Sequence, residues 1–224
     1  MLLALQQAGG GKSLGDEGDR IANAYLCAAI RKARPDDALL SEEEIDCTSR
    51  CAVNGVWIVD PLDGTREYGE GRDDWAVHVG LAIDGVPVAG AVALPAKGLT
   101  LCSETPPALS PANQPLKIAV SRTRPAGEAV ALAKILGADL LPMGSAGAKA
   151  MAVVRGEADI YLHTGGQYEW DNCAPVAVAQ AAGLHCSRID GSPMRYNNAN
   201  PYLPDLLICR PELAEQILAL MKSL

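Results

Sequence analysis

The sequence predicts an α/β protein, α+β in arrangement, in which two sheets are layered with helices. Three observations carry this expectation. An antiparallel meander occupies the first half. Strands and helices alternate in the second half. A Pro-rich, polar stretch from Glu104 to Pro115 separates them, so that residues 1–110 and 111–224 read as two lobes.

Taken in order, Asp19 to Ala33 reads as an amphipathic helix. Ile21, Tyr25, Leu26, Ala29 and Ile30 share one face, and Pro35 lies beyond its end. Ala38 to Leu40 is a short apolar run followed by Ser41-Glu42-Glu43-Glu44. Val56 to Val59 reads as a buried strand delivering Asp60. The alternating runs Trp75–Ile83 and Val86–Leu94 meet at Asp84-Gly85, a strong hairpin signal. Past the linker, strands are expected at Lys117–Ser121, Asp159–Leu162 and Leu206–Cys209. Helices are expected near Ala126–Leu136, Ala146–Val154, Pro175–Ala182 and Pro211–Leu224.

Composition narrows the function classes. The chain of 224 residues is 49% hydrophobic and 21% charged, enough for a sizeable core. With 4% aromatics and no Phe, that core must come from Ala, Val, Leu and Ile. A net charge of -8 argues against a broad basic face for a nucleic-acid polymer. The sequence has neither a run long enough to span a membrane nor a basic-then-apolar leader, so no membrane partner and a cytoplasmic location are expected. The seven cysteines show no disulfide framework, and Cys47 and Cys51, the close pair, read as free thiols on a polar loop.

The chemistry concentrates in Asp60-Pro61-Leu62-Asp63-Gly64-Thr65. A strand delivers Asp60 to its carboxyl end, where ligands of α/β sheets gather. Asp63 follows three residues later, Gly64 permits close backbone approach, and Thr65 opens a helix whose free N–H groups suit a phosphate. Two carboxylates, a carbonyl and a hydroxyl make an all-oxygen set suited to Mg²⁺. The same residues would equally make a turn and a helix cap. Glu42, beyond the apolar run, and Asp171, before a helix, are each more often surface acids or caps. Both nonetheless stand at strand ends or helix starts, where a metal site is assembled.

Together, the Ser-Glu-Glu segment, the hexapeptide and Trp170-Asp171 resemble the inositol monophosphatase superfamily from about Asp19 to Leu224. That resemblance implies a sugar-phosphatase-type fold layered αβαβα and a magnesium-dependent phosphomonoesterase holding two or three ions. It implies Glu42, Asp60, Asp63, Asp171 and the Leu62 carbonyl as metal ligands. Asp19 would support a further metal, and Thr65 with Glu42 would orient the attacking water. Asp60 to Tyr68, Asp159-Ile160-Tyr161, Gly191-Ser192-Pro193 with Tyr196, and Gly71 to Trp75 point within it to the CysQ branch. This branch removes the 3′-phosphate from 3′-phosphoadenosine 5′-phosphate. Substrate contacts are then expected from Leu62, Asp63, Gly64, Thr65, Ser145, Lys149 and Asp171. Lithium sensitivity, a role in sulfur metabolism and a homodimer are also implied.

Rival readings are an inositol-1-phosphate or fructose-1,6-bisphosphate phosphatase, and a non-catalytic metal-binding module. The last would need the carboxylates but not the Thr65–Glu42 pair. Other residues take plainer roles: His78 structural, His185 exposed, Cys173 a small core residue, and Ser145 a substrate contact or a helix cap. His163 stands where many CysQ-like chains carry arginine. Met1 to Ala8 supplies part of the helix the family carries ahead of Asp19. Gly9-Gly10-Gly11-Lys12-Ser13 lacks the strand and glycine spacing of a phosphate-binding loop and reads as a flexible connection.

Overall fold

A computed structural model describes residues 1–9 and 11–224. Ten strands form two five-stranded sheets. The first comprises β1 (Ala38–Ser41), β2 (Gly55–Asp63), β3 (Ala76–Ile83), β4 (Val86–Leu94) and β5 (Leu99–Cys102), in that order. β1 runs parallel to β2 and the rest are antiparallel. The β3–β4 hairpin turns at Asp84 and Gly85, both with positive φ, the geometry that a two-residue Asp-Gly loop favours.

The second sheet holds β6 (Lys117–Ser121), β7 (Asp139–Met143), β8 (Ile160–Tyr168), β9 (His185–Ser187) and β10 (Tyr202–Cys209), in the order β7-β6-β8-β10-β9. Here β6 is parallel to β7 and β8, while β10 is antiparallel to β8 and β9. Pro142 is tolerated because β7 is an edge strand.

Helices complete the αβαβα layering. α1 (Leu2–Ala8), α2 (Lys12–Ala33) and α3 (Thr65–Gly69) cover the outer face of the first sheet. There Leu14, Ala22, Leu62, Tyr68 and Trp75 make a small core, and the Tyr68 hydroxyl donates to the Leu2 carbonyl at 2.7 Å. α4 (Gly127–Leu136) and α7 (Pro211–Met221) cover the far face of the second sheet over Ile118, Leu132, Ile160, Leu162 and Ile217. Between the sheets lie α5 (Ala146–Val154) and α6 (Glu169–Ala181). All nine residues of α5 are buried, as its near-continuous apolar sequence requires. α6 rests directly on the first sheet because Gly80 and Gly90 pair across β3 and β4. A Cβ at Gly80 would stand 2.9 Å from the Ala174 nitrogen, and one at Gly90 would stand 2.6 Å from the Ala174 carbonyl oxygen.

Several boundaries differ from the sequence expectation. α2 begins at Lys12, seven residues before Asp19, which therefore sits mid-helix. Gly15 and Gly18 let α2 lie close against Thr65, Leu62 and Tyr68. Lys12 and Ser13 consequently belong to a helix and not to a flexible connection; Gly9 ends α1, Gly11 precedes α2, and Gly10 lies outside the described residues. α6 begins six residues before Pro175, so Asp171 lies inside its first turn. Pro175, expected at the start of this helix, lies in its interior, where packing on both sheets supports the helix. β8 and β10 are longer than expected, and the short β5, β7 and β9 carried no strong alternation. His185 belongs to β9, half-buried, with Nε2 2.8 Å from the Ser187 hydroxyl. Cys173 is fully buried, as expected of a core residue.

Candidate metal centre

β2 carries Asp60 and Asp63 to the edge of the helical layer. Residues three apart on a regular strand point to opposite faces. The register of β2 on β3 shifts between Asp60 and Asp63, and this bulge turns both carboxylates to one side. Asp60 pairs with His78 across the sheet, and carboxylate and imidazole atoms of Asp60, Asp63 and His78 all lie within 4.8 Å of one another. The turn is fixed by Leu62 N–H donating to Asp60 Oδ1 at 3.0 Å, and Gly64 (φ 87°) leads into α3.

The remaining acids arrive from three other elements. Glu42 follows β1, its N–H donating to the Val59 carbonyl at 3.2 Å; its residue is solvent-exposed while its carboxyl meets that of Asp60. Asp171 comes from the first turn of α6, where Oδ2 accepts the Tyr168 N–H at 2.6 Å. Asp19 comes from α2, its Oδ2 accepting from the Thr65 hydroxyl at 2.9 Å. That hydroxyl also lies 3.1 Å from the Leu62 carbonyl oxygen, so one proton is shared between two acceptors.

The electrostatics divide these acids into two kinds. Burial, then the negative charges of Asp63 and Glu42, hold the Asp60 carboxyl well above the usual range. Burial likewise raises Asp19 to about 7, against the opposing Thr65 hydrogen bond. Desolvation and then Asp171 raise Glu42 to about 8, and burial with Asp63 raises Asp171 to about 6. Asp63 behaves oppositely. Burial works to raise it, but His78, Lys149 and Ser145 outweigh that and hold it near 2.

The reason lies in α5. Asp63 accepts from the Ser145 hydroxyl, from Ala146 N–H at 3.1 Å and from Gly147 N–H at 2.6 Å, a carboxylate seated on a helix N-terminus. Ser145 caps the same helix by accepting from Ala148 N–H at 2.9 Å, so both of its polar contacts are internal to the protein. Lys149 is buried beside it and donates to the carbonyls of Gly144 and Ser145, over the Tyr161 ring at 5.4 Å. The His163 ring lies 6.4 Å from that of Tyr161, its Nε2 3.0 Å from the Gly166 carbonyl oxygen.

His78 is the member that sequence reading assigned a merely structural place. It is wholly buried, with Nδ1 donating to the Trp170 carbonyl at 3.0 Å and Nε2 3.2 Å from Asp63 Oδ2. Burial opposes its charged form, yet Asp63 raises its pKa overall. With an oxygen near each ring nitrogen, the surroundings favour the imidazolium over what burial alone would allow. A histidine at the strand position opposite Asp60 was the available signal.

The residues fit a hard divalent cation on this structure's own terms. The donor set is oxygen, burial and the neighbouring carboxylates together hold Asp60 and Asp19 above their usual range, and Asp19 Oδ1 is buried without a partner among the described residues. A cavity of about 480 Å³ between the start of α2 and α3 meets this cluster only at Thr65. Of the acids, Asp19, Asp60 and Asp63 are buried, Asp171 is half-buried and Glu42 is exposed.

Comparison with known proteins agrees with this architecture. The sequence profile described as the inositol monophosphatase family matches residues 5–224. The 3′-phosphoadenosine 5′-phosphate phosphatase of Mycobacterium tuberculosis is 50% identical over 218 residues, covering 92% of this chain and 81% of that protein. The 3′(2′),5′-bisphosphate nucleotidase CysQ of Escherichia coli K12 is 28% identical over 198 residues, covering 83% and 80%. Among solved structures, inositol monophosphatase II of Staphylococcus aureus superposes with a TM-score of 0.76 at 20% identity, covering 95% of this chain and 90% of that one. At such identity the last likeness speaks to the fold alone.

Proposed function

The chain belongs to the inositol monophosphatase family, and from that premise we propose that it is a magnesium-dependent phosphomonoesterase that releases the 3′-phosphate of 3′-phosphoadenosine 5′-phosphate, leaving AMP. The observation that carries the chemistry is the convergence of Glu42, Asp60, Asp63 and Asp171 on one edge, where their mutual repulsion calls for a cation. The substrate is supported by the 50% identity to a phosphatase named for it.

Glu42, Asp60, Asp171 and the Leu62 carbonyl would hold two or three Mg²⁺ ions, with Asp63 adding a lone pair left over from its helix contacts. Bound there, the metal would supply positive charge to the phosphate and lower the pKa of water. The protein's own part is positional. The Thr65 hydroxyl, aligned by Asp19, would orient the attacking water together with Glu42. The N–H groups of Gly64 and Thr65, outside the internal bonding of α3, would receive phosphate oxygens. Ser145 and Lys149 would serve substrate binding indirectly, through Asp63 and the Gly144-Ser145 backbone. In this reading the lobes 1–110 and 111–224 complete the site together, and the enzyme is a lithium-sensitive cytoplasmic homodimer of sulfur metabolism.

The test is phosphate release with Mg²⁺ from 3′-phosphoadenosine 5′-phosphate, inositol-1-phosphate and fructose-1,6-bisphosphate, with and without lithium. The expected result is a clear kcat/KM preference for the nucleotide, with its hydrolysis blocked by lithium. A preference for either sugar phosphate would overturn the substrate while leaving the metal chemistry standing.

A further inference from the structure

Beside the acid cluster stands a group of aromatic rings that the chemistry above does not use. Among the described residues the exposed aromatic side chains are Tyr25, Tyr168 and Tyr202, and two of these three meet at the start of α6. Tyr168 is 45% exposed and Tyr202 is 44% exposed. Tyr168 stacks on Trp170 with ring centroids 4.8 Å apart and planes within 7°, and Tyr202 meets it edge-on at 5.9 Å.

The backbone holds these rings against the site. The Tyr168 N–H donates to the Asp171 carboxylate at 2.6 Å, and Tyr202 is its direct partner across β8 and β10. Glu169 N–H donates to the Pro201 carbonyl at 2.9 Å, tying the start of α6 to the chain just before Tyr202. Gly166 has a positive φ of 95°, and any Cβ there would collide with the Tyr202 ring, so glycine makes room for it. A chain with only 4% aromatic residues has gathered three of them here and left two of them nearly half exposed.

We propose that Tyr168 and Tyr202 form a wall on which the purine base of the substrate stacks, and that this wall separates nucleotides from sugar phosphates. The inference rests on the phosphatase reading of the neighbouring acids: a ligand whose phosphate lies at Asp171 brings the rest of its body within reach of these rings. A flat heteroaromatic base gains from an aromatic face, whereas a polyol offers no such surface. Trp170, beneath Tyr168, stiffens the ring against which the base would lie.

Calorimetric binding of AMP and of ribose 5-phosphate, which is AMP without its base, isolates the wall. With Mg²⁺ present, wild-type protein should prefer AMP, and Tyr168→Ala should reduce that preference by about tenfold while leaving ribose 5-phosphate binding unchanged. Tyr168→Phe should retain it, and Tyr202→Ala should lose a smaller part. KM for 3′-phosphoadenosine 5′-phosphate should rise in parallel with kcat nearly constant. Equal weakening of both ligands in Tyr168→Ala, or no change in either, would overturn the wall. So would a change in sedimentation of Tyr168→Ala, which would make these rings a contact between copies. Failure of the wild type to act on the nucleotide while hydrolysing a sugar phosphate would instead remove the underlying functional reading.

Discussion

Along α5 and the sheet-facing side of α6, each group is matched by a complementary neighbour. Val153, Val154, Val176 and Val178 fill the space between the sheets, and Gly80 and Gly90 admit Ala174 to backbone distance. At the end of β2 the neighbours are matched for sign and not for fit: Asp60 faces Asp63, Glu42 and Asp171, and Asp19 Oδ1 has no partner. The two regions share one residue. Asp63 is satisfied by the N-terminus of α5 and by His78, whereas Asp60, three residues earlier, is raised by its burial and by the negative charges of Asp63, Glu42, Asp171 and Asp19. The contrast teaches that the middle layer holds the fold, while the acid edge costs stability that a bound cation would restore.

Substitutions should separate the two. Asp60→Asn should lower phosphate release by about 10³-fold or more, the several kcal/mol a metal supplies. It should also raise the thermal midpoint of metal-free protein, because asparagine spares the fold the cost of burying a carboxyl that is ionised in the unfolded chain. Unchanged activity would break the comparison at its centre. Gly90→Val forces a side chain onto the Ala174 carbonyl and should cost about 3 kcal/mol, a fall of roughly 10 °C in Tm, with metal affinity preserved in the protein that remains folded. Asp63→Asn should lower stability by about 1–3 kcal/mol, the opposite direction from Asp60→Asn, since it strips charge from a helix N-terminus and from His78. Equal shifts of Tm in the two asparagine variants would erase the distinction drawn between them.

The smallest effect is in pH. Asp19, Glu42 and Asp171 titrate in the folded chain at about 7, 8 and 6, above their ordinary 3.8, 4.5 and 3.8. Between those limits the folded state binds more protons than the unfolded one, so metal-free stability falls as pH rises from roughly 4 to 8. Asp63 runs the other way, its contribution being present above 3.8 and lost as pH falls toward 2. Thermal melts should therefore show a larger Mg²⁺-induced rise in Tm at pH 8 than at pH 6, where protons compete for the same oxygens.

Much of this could be read from local sequence. The Asp84-Gly85 hairpin, the span of α5 and the β6 strand follow from patterns within a few residues, and the hexapeptide announced a turn rich in oxygen donors. What escaped depends on distant partners. Asp63 meets Ser145 across 82 positions and Gly147 across 84, so nothing near Asp63 signals that it caps a helix. His78 took its meaning from Asp60 and Trp170, which only the folded sheet and α6 bring to it. α2 and α6 started earlier than read because glycines and a proline that disfavour isolated helices are tolerated where tertiary packing decides.

Calorimetric titration of metal-free protein with Mg²⁺, alongside Asp60→Asn, tests the central claim most directly. Binding with release of protons at pH 7, abolished in Asp60→Asn, is the result expected of carboxylates held partly protonated until a cation arrives. Absence of Mg²⁺ binding, or equal binding by the variant, would contradict the assignment of this acidic edge as a metal centre.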